Sequence, residues 1–485
     1  MPLVAGVDSS TQSTKVELRD LDTGAVVGFG QSPHTVPVPP VSEQEPVEWW
    51  LALCRAMAHA RQQARTAGRA SDVVAISVAA QQHGLVALDA DLHVLRPAIL
   101  WNDTRSGPDA AWLCEQLPPE VWADACGSVP VAAFTIAKLS WLHRTEPKVF
   151  DAVSHVLLPH DWLTLQLTGR LSTDRGDASG TGYWSPADGG YRYDLLSLVG
   201  GAIANDDAVP EVLGPWEQAG SVTDAAAEQL GLPVGTAVAV GTGDNMAAAL
   251  GTGLRSGELA VSIGTSGTVF ASSSVPAVDP SGAVAGFADA TGQFLPLVCT
   301  LNAALVTDYV AHLLGVDPDA LDAMALAAPS GANGLVLVPY LAGERVPNRP
   351  QASGSLHGIR QGTSRESVAR SAYEGVVCGL LDGLDALVAA GTSVDDGPVL
   401  LLGGGSKSAA YRQILASLSG RAVRVPRHSQ SVSAGAAVQA AVLATGSDHS
   451  SIVEAWGLRQ GSITEPADDS QTSVEVRQRY HDARG

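Results

Sequence analysis

A motif near the start of the chain returns about half a chain later, and this long-range repeat limits the available folds more than any other feature. Residues 4–16 read Val-Ala-Gly-Val-Asp-Ser-Ser-Thr-Gln-Ser-Thr-Lys-Val, and residues 260–270 read Ala-Val-Ser-Ile-Gly-Thr-Ser-Gly-Thr-Val-Phe. Aligning Asp8 with Ser262 sets Thr11 on Thr265 and Thr14 on Thr268, an offset of 254 residues. Each copy is an apolar run, a short hydroxyl-rich turn and a second apolar run, which predicts a β-hairpin. Two copies in 485 residues predict two comparable halves. The boundary is expected where Gly251, Gly253 and Gly257 cluster, with one domain over 1–243 and a second over 244–485.

Strands and helices alternate between and beyond the copies, which gives an α/β fold. Val73–Ala80 is a continuous apolar run of the buried-strand kind. Residues 47–64 read as a helix, with Trp50, Leu53, Cys54, Met57 and Ala58 at helical spacing and Pro46 in its first turn. Thr363 and Glu366 fit a capping box. After it, Val368, Ala372, Val376, Leu380, Leu384 and Val388 recur every four residues and predict one buried stripe. A helix is also expected within 451–458.

Several function classes fall away. With 45% apolar residues the chain is not a disordered scaffold. A net charge of −21 argues against a nucleic-acid partner, because a phosphate backbone demands a basic face. No stretch of 18 apolar residues occurs, so no membrane span is expected. The start has no charged segment of the secretory type, and the five cysteines contain no Cys-x-x-Cys pair. A cytoplasmic location is therefore expected. The Walker loop, the Rossmann fingerprint, His-Glu-x-x-His and Gly-x-Ser-x-Gly are all missing.

Three turns remain that could carry chemistry, each after an apolar strand. The turn holding Ser10, Thr11 and Gln12 and the turn holding Gly264 and Thr265 offer backbone N–H and hydroxyl donors, the makings of an anion nest. The third, Gly403-Gly404-Gly405-Ser406, has three consecutive glycines, which are unfavourable in ordered backbone unless something must approach closely. Asp8 ends one strand before the first turn. Asp244 follows the strand at 236–240 and opens a helix, where it could be an N-cap or a general base. Phosphoryl transfer to an alcohol needs a proton acceptor and a Mg²⁺ ion held by one or two carboxylates. Gln82 and His83 follow strand 73–80 with hydrogen-bonding side chains suited to a polyol. Trp101 could supply an apolar wall, with Asn102 and Asp103 bonding hydroxyls.

Together these residues resemble the FGGY carbohydrate kinases, within the sugar kinase, Hsp70 and actin superfamily. The likeness runs along the whole chain in family order: GVDSSTQSTK at 6–15, SEQEPVEWW at 42–50, QQHG at 81–84, RPAILWNDTR at 96–105, FTIAKLSWL at 134–142, LLPHDWL at 157–163, GTGDN at 241–245, SIGTSGT at 262–268, PYLAGERVPNRP at 339–350 and LLGGGSKSAAYRQILA at 401–416. The resemblance implies two ribonuclease-H-like domains around a central cleft that takes ATP and a sugar. It implies Asp244 as the base acting on the sugar hydroxyl, with Asp8 and Asp244 near Mg²⁺. Ser10, Thr11, Gln12, Gly264 and Thr265 would meet the phosphates, and Gly404, Gly405 and Ser406 the adenosine. Gln82, His83, Trp101, Asn102, Asp103 and Asn245 would line the sugar site. The segments are most similar to those of family members acting on D-xylulose, which implies formation of the 5-phosphate; a homodimer is an assembly this leaves open.

Two departures stand out. The first hairpin commonly carries glycine where this chain has Ser10, which adopts positive φ less readily, so a differently shaped turn is expected. The sugar-contacting pair often begins with Met, here Gln82. Ribulose, gluconate and glycerol-like polyols stay open as substrates. So does a non-catalytic nucleotide-binding protein of the actin or Hsp70 type, although that class needs neither the Gln82–His83 loop nor Asp244.

Overall fold

The computed structural model describes residues 2–69, 73–467 and 470–485. Two seven-stranded sheets dominate it. The first contains β1 (Leu3–Ser9), β2 (Ser13–Asp20), β3 (Val26–Pro33), β4 (Val73–Ala80), β5 (Gln218–Ser221) and β6 (Ala237–Ala239), in the order β5-β6-β4-β1-β2-β3, with the short strand Thr242–Gly243 also on β4. The second contains β7 (Leu259–Ile263), β8 (Gly267–Ala271), β9 (Ala285–Ala288), β10 (Phe294–Thr300), β11 (Val399–Leu402), β12 (Val423–Pro426) and β13 (Gly461–Thr464), in the order β9-β10-β8-β7-β11-β12-β13. Both follow one plan. A hairpin and a third antiparallel strand come first, β1-β2-β3 and β7-β8-β10. Two parallel strands then extend the other side, β4 and β6 next to β1, and β11 and β12 next to β7. This is the ribonuclease-H-like arrangement, built twice. The 254-residue offset survives in the strand ends: Ser9 maps onto Ile263 and Ser13 onto Gly267.

Alternation along β1 assigns its faces. Leu3, Ala5 and Val7 pack in one core with α1 (Pro46–Thr66). The buried face of α1 is Trp49, Trp50, Leu53, Ala56, Met57, Ala60 and Ala64; Cys54 is half-buried, and Ala58 is exposed, contrary to the expected stripe. The other face of β1 carries Val4, Gly6 and Asp8. Among the helices that follow, α2 (Thr135–Thr145) and α3 (Pro159–Thr168) belong to the first half of the chain. Next come α4 (Asp244–Gly251), α5 (Arg365–Ala389), α6 (Ala409–Ser419) and α7 (Ser431–Thr445). Helix α7 crosses β1 so closely that a Cβ on Gly6 would lie 1.9 Å from the Ser433 carbonyl oxygen. Gly435 lets α7 meet α4 in the same way, 1.9 Å from the Ala247 carbonyl oxygen by the same measure. The expected division after Gly243 is thus crossed: α4 and α7 lie beyond that point in sequence, yet they pack on the first sheet.

Helix α5 spans the second core. Its N-cap is Ser364, whose hydroxyl accepts from the Ser367 N–H, and the expected cap Thr363 instead accepts from the Arg360 N–H at 2.9 Å. Ala372, Val376 and Leu380 are buried as expected, Val368 and Leu384 half-buried, and Val388 is exposed. A spacing of four residues advances about 400° per step, so a strict i+4 series winds off its face. The expected helix near 451–458 is α8 (His449–Ala455).

Candidate functional site

The strand ends place the chemistry. At the carboxyl ends of β1 and β4 stand the 10–12 turn and Gln81–His83. At those of β7 and β11 stand the 264–266 turn and Gly403–Ser406. The carboxyl ends of parallel strands in open α/β sheets are where crevices form. Between the halves lies a cleft of about 530 Å³. Thr11, Gln82, His83, Trp101, Asp244 and Asn245 line it from the first body, and Gly264 from the second.

Asp8 is buried. Its Oδ2 accepts from Lys15 Nζ at 2.8 Å, and its Oδ1 has no hydrogen-bond partner among the described residues. Asp244 starts α4, but the N-cap is Gly243 and no side chain caps the helix. The capping role open to Asp244 in the sequence is therefore not the one it has, and its half-buried carboxylate faces the cleft. Burial first, and the charge of Asp8 second, push its pKa up to about 7. A carboxylate with that proton affinity suits a base working near neutrality.

The segment before Asp244 is held from both sides. Gln439 of α7 accepts from Ser77 Oγ at 3.0 Å and donates to the Gly241 carbonyl at 3.1 Å. Thr242 Oγ1 donates to Asp174 Oδ2 at 2.7 Å, and Asp174 also caps the turn that presents Asp177. Asp177 Oδ2 lies 2.6 Å from His160 Nδ1, and Asp161 Oδ1 lies 3.3 Å from the same nitrogen. Burial alone would lower the pKa of His160, but Asp161 and Asp177 overrule it and push it up to about 10. None of Gln439, Asp174, Asp177 and His160 stood out as functional in the sequence; only LLPHDWL, which contains His160 and Asp161, drew notice.

On the sugar-facing side, Asn245 Nδ2 donates to Gln82 Oε1 at 2.9 Å and to Asp244 Oδ1 at 3.1 Å, and Gln82 Nε2 is buried without a hydrogen-bond partner among the described residues. Trp101 Nε1 donates to Thr11 Oγ1 at 3.0 Å, tying the first turn to the cleft wall. Asn102 and Asp103 do not line the cleft. Asp103 is spent elsewhere: its carboxylate accepts from the Ser42 N–H at 2.8 Å and pairs with Arg105 at 2.7 Å. The neighbourhood of Trp101 in sequence suggested a polar cluster, but the chain turns there and buries the carboxylate.

The turns differ from expectation in detail. Ser10 is not at positive φ, so the missing glycine leaves no strain; its N–H donates to the Ser13 carbonyl at 3.1 Å. Thr11 reaches the cleft wall, whereas Gln12 is exposed beside it. In the second turn Gly264 lines the cleft and Thr265 points to solvent. Of the three glycines, Gly403 has φ +78° and Gly405 sits against β7, where a Cβ would come within 2.4 Å of Ile263 Cγ2. Gly404 and Ser406 complete the turn, and a Cβ on Gly404 would meet nothing within 4 Å. Ser262, Ser266, Thr268, Phe134, Phe287 and Arg345 also line the cleft; the second turn and its strands were read as an anion site, but none of these six was assigned a role of its own from the sequence. Five of these six stand inside the quoted family segments; Phe287 carries no sequence signal.

Comparison with known proteins fits this geometry. The N-terminal domain model of the FGGY family of carbohydrate kinases matches residues 3–251, and the C-terminal domain model matches 259–444. The chain belongs to the FGGY family of carbohydrate kinases. A xylulose kinase of Streptomyces rubiginosus is 45% identical over 476 residues, 98% of this chain and 95% of that protein. The crystal structure of xylulose kinase from Bifidobacterium adolescentis superposes with a TM-score of 0.85 at 39% identity, covering 100% of this chain and 99% of that one. A glycerol kinase of Plasmodium falciparum, solved with ADP, shares the fold alone: TM-score 0.87 at 19% identity, over 100% of this chain and 97% of that chain. As an FGGY enzyme the chain is a carbohydrate kinase. No helix among the described residues is long and apolar enough to cross a membrane.

Proposed function

We propose that this FGGY kinase transfers the γ-phosphoryl group of ATP to the 5-hydroxyl of D-xylulose. The observation that carries the reading is the half-buried Asp244 carboxylate, aimed into the cleft beside Gln82 and Asn245 and opposite the second phosphate turn. The identity of the similar proteins supports the choice of sugar.

In this reading Asp244 accepts the hydroxyl proton as the oxygen attacks. Gln82, His83, Trp101 and Asn245 hold the ketose. Ser10, Thr11 and Gln12 meet the phosphates from one side, and Gly264 and Thr265 from the other. Gly404, Gly405 and Ser406 lie against the adenosine, for which the open space at Gly404 leaves room. Asp8 and Asp244 would hold Mg²⁺, which neutralises phosphate charge when bound; the buried, unpartnered Asp8 Oδ1 fits a cation ligand. Residues 1–243 would serve the sugar and the first phosphate turn, joined at the sugar by Asp244 and Asn245, and 244–485 the second phosphate turn and the adenosine.

A coupled ADP-release assay with a panel of ketoses and polyols tests the function. D-Xylulose is expected to accelerate ATP turnover most. Turnover that no sugar accelerates would overturn the kinase reading, and a much higher rate on another sugar would overturn the substrate. A cytoplasmic location and a homodimer go with this reading; a single monomer peak in sedimentation velocity would overturn the dimer.

A further inference from the structure

His83 stands in the left-handed region, φ +64°, which a residue with a side chain holds when its surroundings enforce it. The enforcing group is Lys138 of α2, a fully buried lysine. Its Nζ donates to the His83 carbonyl at 2.9 Å and to the Ala133 carbonyl, and burial, against the charge of Asp103, pulls its pKa down to about 7, so charged or neutral it keeps a proton for each carbonyl. Thr135 Oγ1 donates to the same His83 carbonyl at 3.2 Å. Among the described residues no carboxylate pairs with Lys138. A lysine is almost never fully buried without an acid partner, so this one is committed to backbone carbonyls.

The ring is fixed as firmly as the backbone. His83 Nδ1 lies 2.8 Å from the Gly180 carbonyl oxygen. A carbonyl only accepts, so Nδ1 carries the proton. Phe134 and Phe287 flank the ring, with centroids 5.1 and 5.5 Å away. Burial first, then the Lys138 and Arg345 charges, pull the imidazole down to about 3, which keeps it neutral. In a neutral ring protonated at Nδ1, Nε2 has a lone pair and no hydrogen. Beside it, Gln82 Oε1 is taken by Asn245, which leaves Nε2 of Gln82 a free donor.

We propose that Lys138 is a positioning residue: through the His83 carbonyl it fixes the imidazole as a hydrogen-bond acceptor, so that Gln82 donates to one ketose oxygen while His83 accepts from a ketose hydroxyl. The pair then demands a sugar with an acceptor oxygen and a hydroxyl donor side by side. The inference rests on the sugar site of the proposed function.

Two measurements test it. In protein labelled with ¹⁵N-histidine, the His83 resonances, identified by their loss in His83→Asn, are expected to show a protonated Nδ1 and an unprotonated Nε2 between about pH 6 and 8. A proton on Nε2 would overturn the proposal. In kinetics, Lys138→Met is expected to raise the KM for D-xylulose about tenfold, with the KM for ATP unchanged and kcat lowered less than about threefold. Its His83 spectrum should also become a mixture of tautomers, which a merely structural lysine would not produce. A folded Lys138→Met enzyme with wild-type KM and tautomer would overturn the proposal. Thr135→Val removes a weaker donor to the same carbonyl and is expected to raise the KM about threefold. If Lys138→Met does not fold, the wild-type spectrum and Thr135→Val decide. Failure of the D-xylulose reading looks different: the wild-type enzyme ignores D-xylulose while the His83 tautomer stands, and the KM tests pass to the sugar it does phosphorylate.

Discussion

The two hairpins share strand ends at a 254-residue offset, yet they pair in different registers. In the first, Ser9 pairs with Thr14 and Asp8 with Lys15. In the second, Ile263 pairs with Gly267 and Ser262 with Thr268, one residue tighter. Because side chains alternate, that single step changes which residues meet. The first hairpin sets a carboxylate against an ammonium 2.8 Å away. The second sets two hydroxyl residues against each other, and both line the cleft. Their bracing differs too. Side chains hold the first turn, through Trp101, Gln81 and Gln44 on Thr11. Backbone holds the second, with the Ala304 N–H donating to the Gly264 carbonyl at 2.9 Å. One topology thus carries a charged turn locked by side chains and a neutral turn of backbone and hydroxyls; in the proposed function both turns would face the phosphates, and the charged one would also bring Asp8 to Mg²⁺.

The sharpest way to break this contrast is at the acid. Asp244→Asn is expected to lower kcat about 10²–10⁴-fold while ATP binding, measured by calorimetry, stays within about twofold. Near-normal turnover would remove Asp244 from the base role. Next, the two sides should separate kinetically. Gln82→Ala is expected to raise the KM for the sugar about tenfold and leave the KM for ATP in place, because it deletes the unpaired Nε2 donor and the Oε1 that holds Asn245, both on the sugar side. A matched rise in both constants would dissolve the distinction.

The glycine turn gives a contrast inside the second body. Gly404→Val projects into open space, so melting should move by no more than about 1 °C while the KM for ATP rises several-fold. Gly405→Val drives a side chain into Ile263 and should cost about 1–3 kcal/mol of stability, read by denaturant titration. Equal loss of stability in both variants would show that the turn is built for packing alone.

The smallest expected effect concerns the buried support beneath Asp244. His160 is raised from its ordinary 6.5 to about 10, so its stabilisation is complete below about pH 6.5 and is lost as pH rises through 10. Burial raises its partners Asp161 to about 7 and Asp177 to about 6, and the stability they lose as pH rises is lost between about pH 4 and 7, mostly below this window. The melting temperature should fall by about 2–4 °C more between pH 6.5 and 10 in the wild-type protein than in His160→Gln. Parallel pH profiles would refute the role of the imidazolium.

Much of the plan was legible because it depends on local pattern. Apolar runs and hydroxyl-rich turns gave both hairpins, and Pro46 and the tryptophans gave α1. The errors have local causes. Thr363 and Ser364 are adjacent cap formers, and composition does not say which one bonds the Ser367 N–H. Asp103 is polar and close to Trp101 in sequence, yet Arg105 two residues on competes for its carboxylate and wins.

By itself the sequence determined two repeated α/β halves, an acid at each of two strand ends and a glycine turn at a third. Periodicity and turn chemistry act over a few residues, so they can be read along the chain. Tertiary structure alone decided the one-residue difference in hairpin register, the return of α7 across β1 at Gly6, the turn of the Asp244 carboxylate into the cleft rather than onto its helix end, and the lock of Lys138 on His83. Each of these depends on which distant groups compete for the same carbonyl, carboxylate or gap. That competition is settled only when residues tens to hundreds of positions apart are packed together.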